Sequence, residues 1–267
     1  MPDWIAVVLL GIIEGVTEFL PVSSTGHLLV AERWLPRQTD LFNIVIQCGA
    51  VLAVLPLFRG RLLQIARCVS DVEGRAYGLK ILVAFGITGV GGLALEKGGF
   101  RLPEQLLPVA LALIIGGVLF IVAERLLGDR AVRDDVTWWM AAAVGAAQLV
   151  AAVFPGTSRS GATILVMLAL GLSRVAATEF TFLVGIPTIL AGGALHILKA
   201  LHHPPVDAVE ENWAMVALGV LVSALVSFVV VKWLLGYVQH HSFVAFGWYR
   251  IAVGLVIALL LLAPFGS

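Results

Sequence analysis

Six apolar runs, at 41–58, 78–95, 105–123, 175–198, 213–235 and 247–264, each predict a membrane-crossing helix, because about 20 apolar residues span the hydrocarbon core. Two further regions, 3–32 and 137–172, break that pattern. In each, an apolar stretch (3–20 and 137–154) runs into a knot of Pro, Ser, Thr and Gly, and a short second apolar stretch follows. Irregular backbone at membrane depth is tolerated only where it is buried in protein or lines a wet cavity. Both regions are therefore predicted to be re-entrant helix–loop–helix hairpins.

The two knots also align with one another. Pro21-Val-Ser-Ser-Thr-Gly26 lies over Pro155-Gly-Thr-Ser-Arg-Ser-Gly161 with one insertion, Glu14 falls opposite Gln148, and Leu41-Phe-Asn43 loosely matches Thr178-Glu179-Phe180. Each half then holds one hairpin and three spans. Three is odd, so the second half is inverted relative to the first, as in many secondary transporters whose broken helices meet near the midplane. The predicted fold is an all-α polytopic membrane protein in one domain, with repeat 1 over about 1–128 and repeat 2 over about 134–267.

Composition agrees. The chain is 60% hydrophobic and 13% charged, against about 25% charged residues in soluble domains. Lys and Arg number 17 and so do Asp and Glu, a balance that argues against nucleic acid or a polybasic lipid patch as a main partner. Lys and Arg set orientation. One face receives Arg59, Arg61, Arg67, Arg75, Lys80, Arg125, Arg130, Arg133, Arg174 and Lys232; the other receives Arg33, Arg37, Lys97, Arg101 and Lys199. The richer face is expected to be cytoplasmic, which puts both termini outside. Trp4, Trp34, Trp138, Trp139, Trp213, Trp233 and Trp248 fall at predicted segment ends, as an aromatic belt requires. Cys48 lies in an apolar run and Cys68 in a basic loop, so no disulfide is expected. The first run lacks a basic leader and an A-x-A cleavage site and reads as mature protein.

The chemistry lies in the knots. An ionisable side chain at membrane depth costs roughly 2.5–3.5 kcal/mol on insertion scales, so it is normally paired and functional. Glu14 and Glu18 are four apart, on one helix face. Two such carboxylates invite a cation, and oxygen ligands suit Mg²⁺ or Ca²⁺. The plain alternatives are a structural ion pair or a polar cavity wall. Ser23, Ser24, Thr25 and Gly26 open the second helix of the first hairpin; Thr157, Ser158, Ser160 and Gly161 repeat this in the second. Hydroxyls there are ordinary N-caps, but a helix N-terminus is also an anion site. Two of them joined by Arg159, whose planar fork suits phosphate, make a phosphate cradle. Arg159 also suits a salt bridge to a glutamate, with substrate exchanging for that bridge. His27 can act as general acid, base or nucleophile near neutral pH. His196, His202, His203, His240 and His241 lie near segment ends or in loops and receive no role.

At Glu14-Gly-Val-Thr-Glu-Phe-Leu-Pro-Val-Ser-Ser-Thr-Gly-His27 and Pro155-Gly-Thr-Ser-Arg-Ser-Gly-Ala-Thr163 the chain resembles undecaprenyl-diphosphate phosphatases of the bacitracin-resistance type. The resemblance extends along the whole length and hydropathy profile. It implies a bacterial inner-membrane enzyme that converts C55 isoprenyl diphosphate to the monophosphate, recycling the lipid carrier of cell-wall synthesis, with a divalent-cation requirement. It implies site roles for Glu14, Glu18, Ser24, His27, Ser158, Arg159 and Thr163. Asn43 stands where the resemblance implies a glutamate.

The residues by themselves lead to phosphoryl transfer on a lipid: charge neutralisation on the phosphate oxygens by Arg159, the helix ends and a metal, with an in-line nucleophile. The nucleophile is Ser24, or a water activated by Glu18 or His27. The rivals are a lipid flippase, alone or combined with the phosphatase, and an ion-coupled transporter of small anions. The partners expected are the isoprenyl diphosphate lipid and the bilayer, with a homodimer left open.

Overall fold

The computed structural model describes residues 2–67, 70–100, 105–127, 133–202 and 212–262. Cys68, Arg101, Arg130 and His203 lie outside the described residues. The described chain is helical: α1 (Asp3–Thr17), α2 (Ser24–Ala31), α3 (Asp40–Val54), α4 (Arg59–Ala66), α5 (Val72–Lys97), α6 (Leu106–Leu127), α7 (Trp138–Val153), α8 (Arg159–Ala169), α9 (Arg174–His202), α10 (Trp213–Tyr237) and α11 (Val244–Leu262). Helix starts are where side-chain caps satisfy free N–H groups. Thr39 accepts from Phe42 N at 3.0 Å before α3, Asp71 from Gly74 N at 2.8 Å before α5, and Thr137 from Met140 N at 3.2 Å before α7.

Among the described residues six segments are long and apolar enough to cross a membrane, and each contains or overlaps one predicted run. The run at 41–58 is part of a longer segment, Asp40–Ala66. Its helix is interrupted by a 3-10 turn at Leu55–Phe58, where Pro56 lacks the N–H that a continuous α-helix needs, and resumes as α4. Apolar side chains cover the outside: Leu82, Val90, Ile115, Leu225, Val229 and Leu259 are all exposed, as a lipid-facing surface requires. All seven tryptophans are exposed as well. The molecule is a multi-pass membrane protein.

Small residues let the helices approach. A Cβ on Gly15 of α1 would stand 2.8 Å from the Ser223 carbonyl of α10, and one on Gly145 of α7 would stand 2.8 Å from the Ala84 carbonyl of α5. Hydroxyls cross the same contacts: Ser227 donates to Gly15 O at 3.0 Å and Thr88 to Gly145 O at 3.2 Å. α1 thus packs on α10 and α7 on α5, while α3 packs against both α9 and α10 and α6 against α11. α2 and α8, the short helices after the two knots, both contact α6. Beyond them, the buried Glu124 of α6 pairs with Arg174 of α9 at 2.5 Å and accepts from Phe243 N at 2.8 Å.

Candidate active site

Both knots are breaks between helices. α1 ends at Thr17, Glu18 is its C-cap, and α2 restarts after Ser23; α7 ends at Val153 and α8 restarts after Ser158. The two cap serines share an uncommon backbone, with φ of 74° at Ser23 and 68° at Ser158. Positive φ at a non-glycine residue costs on the order of 1–3 kcal/mol and persists only where its surroundings enforce it. Each serine Oγ accepts from the glycine N–H three residues on, Gly26 at 3.3 Å and Gly161 at 3.1 Å. The aligned knots are therefore the same local structure built twice.

The knots touch. Ser160 Oγ donates to Leu20 O at 3.1 Å. Arg159 Nη2 lies 2.6 Å from Glu18 Oε1, and Ser24 Oγ donates to Glu18 Oε2 at 2.6 Å. The result is a continuous chain, Ser24–Glu18–Arg159, across residues 135 positions apart. The salt-bridge reading of Arg159 thus holds in this state. The cavity lined by Glu18, Gln148, Arg159, Ser160 and Thr163 is about 20 Å³, room for about one water.

Glu14, one turn before Glu18, is fully buried, and neither carboxylate oxygen has a partner. An unpaired buried carboxylate is costly. Glu14 and Glu18 are the two carboxylates here that could hold a divalent cation, which takes oxygen ligands. Among the described residues no cluster of three or more His, Cys, Asp or Glu is placed to hold a metal.

The other expected phosphate ligands divide. Gly26 is buried near Val109 and Leu113 of α6; Ser158 and Ser160 are buried too, with their hydroxyls 3.1 Å apart. Thr25 is exposed on the first turn of α2, and Thr157 is half-buried. The Thr163 hydroxyl donates within its own helix, to Arg159 O at 2.9 Å and Ser160 O at 3.1 Å. Asn43 donates to Glu32 at 3.0 Å, outside the cluster. His27 is turned to another partner set: Nδ1 lies 2.7 Å from Ser23 O and Nε2 lies 2.8 Å from the Tyr249 hydroxyl, on which the imidazole stacks. A carbonyl only accepts, so Nδ1 carries the proton and Nε2 faces Tyr249. His196 bonds to the Gly192 carbonyl of its own helix, and His241, just beyond α10, to the Tyr237 carbonyl at that helix's end.

Sequence reasoning missed two residues, both on α11. Tyr249 reaches His27. Arg250 is entirely buried and donates to carbonyls of both knots, Pro21 O at 2.8 Å and Thr157 O at 2.9 Å. Its signal was available, since a charge inside the run 247–264 meets the same test that singled out Arg159. Behind α8, Thr157, Gly161 and Arg250 contribute to the lining of an otherwise apolar cavity of about 530 Å³ between α6 and α7.

The family model described as bacitracin resistance protein BacA matches residues 7–256. The chain belongs to this family. It is 51% identical over 267 residues to a protein of Xanthomonas axonopodis pv. citri (strain 306) named undecaprenyl-diphosphatase, covering all of both chains. It is also 50% identical over 250 residues to one of that name from Xylella fastidiosa (strain 9a5c), covering 93% of this chain and 95% of the relative. A third, from Xanthomonas oryzae pv. oryzae (strain PXO99A), is 51% identical over the full length of both. Both knots fall inside the family match and inside the two matches that cover the whole chain.

Proposed function

We propose that this chain is an undecaprenyl-diphosphatase, hydrolysing undecaprenyl diphosphate to undecaprenyl phosphate and phosphate, which recycles the cell-wall lipid carrier and gives bacitracin resistance. The observation that carries the reading is the Ser24–Glu18–Arg159 chain at the junction of two helix N-termini, in a chain half-identical over its length to relatives of that name.

The geometry supports a sequence of steps. The site is filled by the Arg159–Glu18 bridge, so a diphosphate enters as Arg159 leaves Glu18 for the phosphate oxygens, where its fork bonds bidentately. Glu18 Oε2, 2.6 Å from the Ser24 hydroxyl, is placed to take its proton. Ser24 Oγ attacks the terminal phosphorus, the bond to the bridging oxygen breaks, and undecaprenyl phosphate leaves. Water then opens the phosphoserine and phosphate departs. The N-termini of α2 and α8 face the charge that develops on the transferring group. His27, held by Ser23 and Tyr249, is placed beside the Ser24 loop to move a proton during these steps. Glu14 and Glu18 would hold a divalent cation, Mg²⁺ or Ca²⁺, which when bound would supply charge neutralisation for the phosphate. A flippase would use the same broken helices, but no observed contact favours it over the phosphatase.

Purified protein in detergent, where no gradient exists, is expected to release phosphate from C55 isoprenyl diphosphate and to fall silent in excess EDTA. No release from the lipid would overturn the phosphatase, and full activity under chelation would remove the metal.

The inverted repeat belongs to this proposal. Two hairpins with matching strained caps, and the reciprocal packing of α1 on α10 and α7 on α5, support halves 1–128 and 134–267 of opposite orientation within one domain. With the basic-rich face inside, both termini lie outside the inner membrane. Arg37→Cys and Arg67→Cys flank the span Asp40–Ala66; in a background lacking Cys48 and Cys68 they are expected to label from opposite faces. Labelling of both from one side would remove that crossing.

A further inference from the structure

Arg250 is the largest fully buried side chain of the described residues. A buried guanidinium is costly unless every donor is met, and among the described residues no carboxylate meets it. Carbonyls do. Nη1 donates to Pro21 O at 2.8 Å, Nη2 to Thr157 O at 2.9 Å and to Gly156 O and Ala112 O at 3.2 Å each. The slot is shaped for it: a Cβ on Gly116 of α6 would stand 2.2 Å from Nη2, and one on Gly161 of α8 2.8 Å from Nη1.

Three of these acceptors lie one or two residues before the strained caps. Pro21 precedes Ser23, and Gly156 and Thr157 precede Ser158. In a planar trans peptide the C=O and the following N–H point in opposite directions. Drawing the Thr157 carbonyl to the guanidinium therefore turns the Ser158 N–H away from it. One side chain thus fixes peptide planes in both knots at once, and only a planar fork with several donors can do so.

We infer that Arg250 is a positioning residue for phosphoryl transfer, resting on the reading given above: it sets the two N-cap loops in register so that Ser24 and Glu18 of the first meet Arg159 of the second. Its effect passes through the loop backbone, so it acts on the reaction rather than on substrate affinity.

Arg250→Lys keeps the charge but supplies a single ammonium that cannot hold both loops. A small misplacement of catalytic groups costs about a hundredfold, so kcat per folded molecule is expected to fall by about that factor with KM nearly unchanged. Gly116→Ala keeps the arginine but forces its guanidinium to shift in the slot, and is expected to lower kcat in the same way; it decides the matter if the Arg250 variant does not fold. Register is read independently of turnover by the spin–spin distance between Ala31→Cys and Leu170→Cys, in a background lacking Cys48 and Cys68. That distance is expected to shift or broaden in both variants. Wild-type kcat and distance in Arg250→Lys, a lower Tm with unchanged kcat per folded molecule, or a rise in KM alone would each overturn the positioning role. A wild-type protein silent on the lipid diphosphate, with the distance shift intact, would sink the phosphatase reading and leave the register role standing.

Discussion

Ser24→Ala is expected to lower kcat on C55 isoprenyl diphosphate by on the order of 10⁴-fold, the scale on which nucleophile and base units fail. The Ser24 hydroxyl sits 2.6 Å from a carboxylate that also pairs with Arg159, the arrangement of a nucleophile, its base and the group that orients the base. Binding is expected to survive, because Arg159 and the helix ends remain. Acid quench of the wild type during turnover should trap a phosphoserine that Ser24→Ala lacks. If water attacked instead, the variant would lose one hydrogen bond to a charged acceptor, about 1.5–3 kcal/mol, or roughly 10- to 150-fold. Residual activity within about a hundredfold of wild type, with no trapped phosphoenzyme, would assign attack to water.

Glu18→Gln is the second large effect. The carboxylate does two jobs, accepting from Ser24 on one oxygen and holding Arg159 on the other. The amide keeps the shape, cannot take a proton, and offers an NH₂ where one acceptor is needed. General-base loss costs about 10²- to 10⁴-fold, and the release of Arg159 adds to it. If the three residues act as a unit, Glu18→Gln combined with Ser24→Ala is no slower than Ser24→Ala alone. Multiplying effects in the double variant would show that Glu18 works independently of Ser24, through a metal or a water. Glu14→Gln separates those two, since Glu14 has no protein partner to lose.

Legibility along the chain followed physical range. The six spans were readable because a bilayer filters every residue of a crossing helix, and that filter acts locally in sequence. Their ends moved by several residues, with α5 beginning at Val72 rather than 78, because caps such as Asp71 set the starts and a hydropathy window does not see them. The knots were readable because Pro, Gly and charge are anomalous inside apolar runs. Glu14, Glu18, Ser24 and Arg159 were therefore nameable as a set, and the fold brings Glu18, Ser24 and Arg159 into direct contact.

The partners were another matter. That Arg159 spans to Glu18, that Ser24 shares that carboxylate, and that His27 turns to Tyr249 instead depend on contacts between residues more than 100 positions apart or on loop geometry of positive φ. Arg250 was overlooked although its anomaly was the same as that of Arg159, because no knot surrounds it; its meaning lies in the carbonyls of two distant loops. The sequence by itself determined where this chain crosses the membrane, where it breaks, and which chemical groups stand at the breaks, because those follow from local hydropathy and backbone preference. Only the tertiary structure decided which groups meet, because a hydrogen bond at 2.6 Å depends on helix packing that no local pattern encodes.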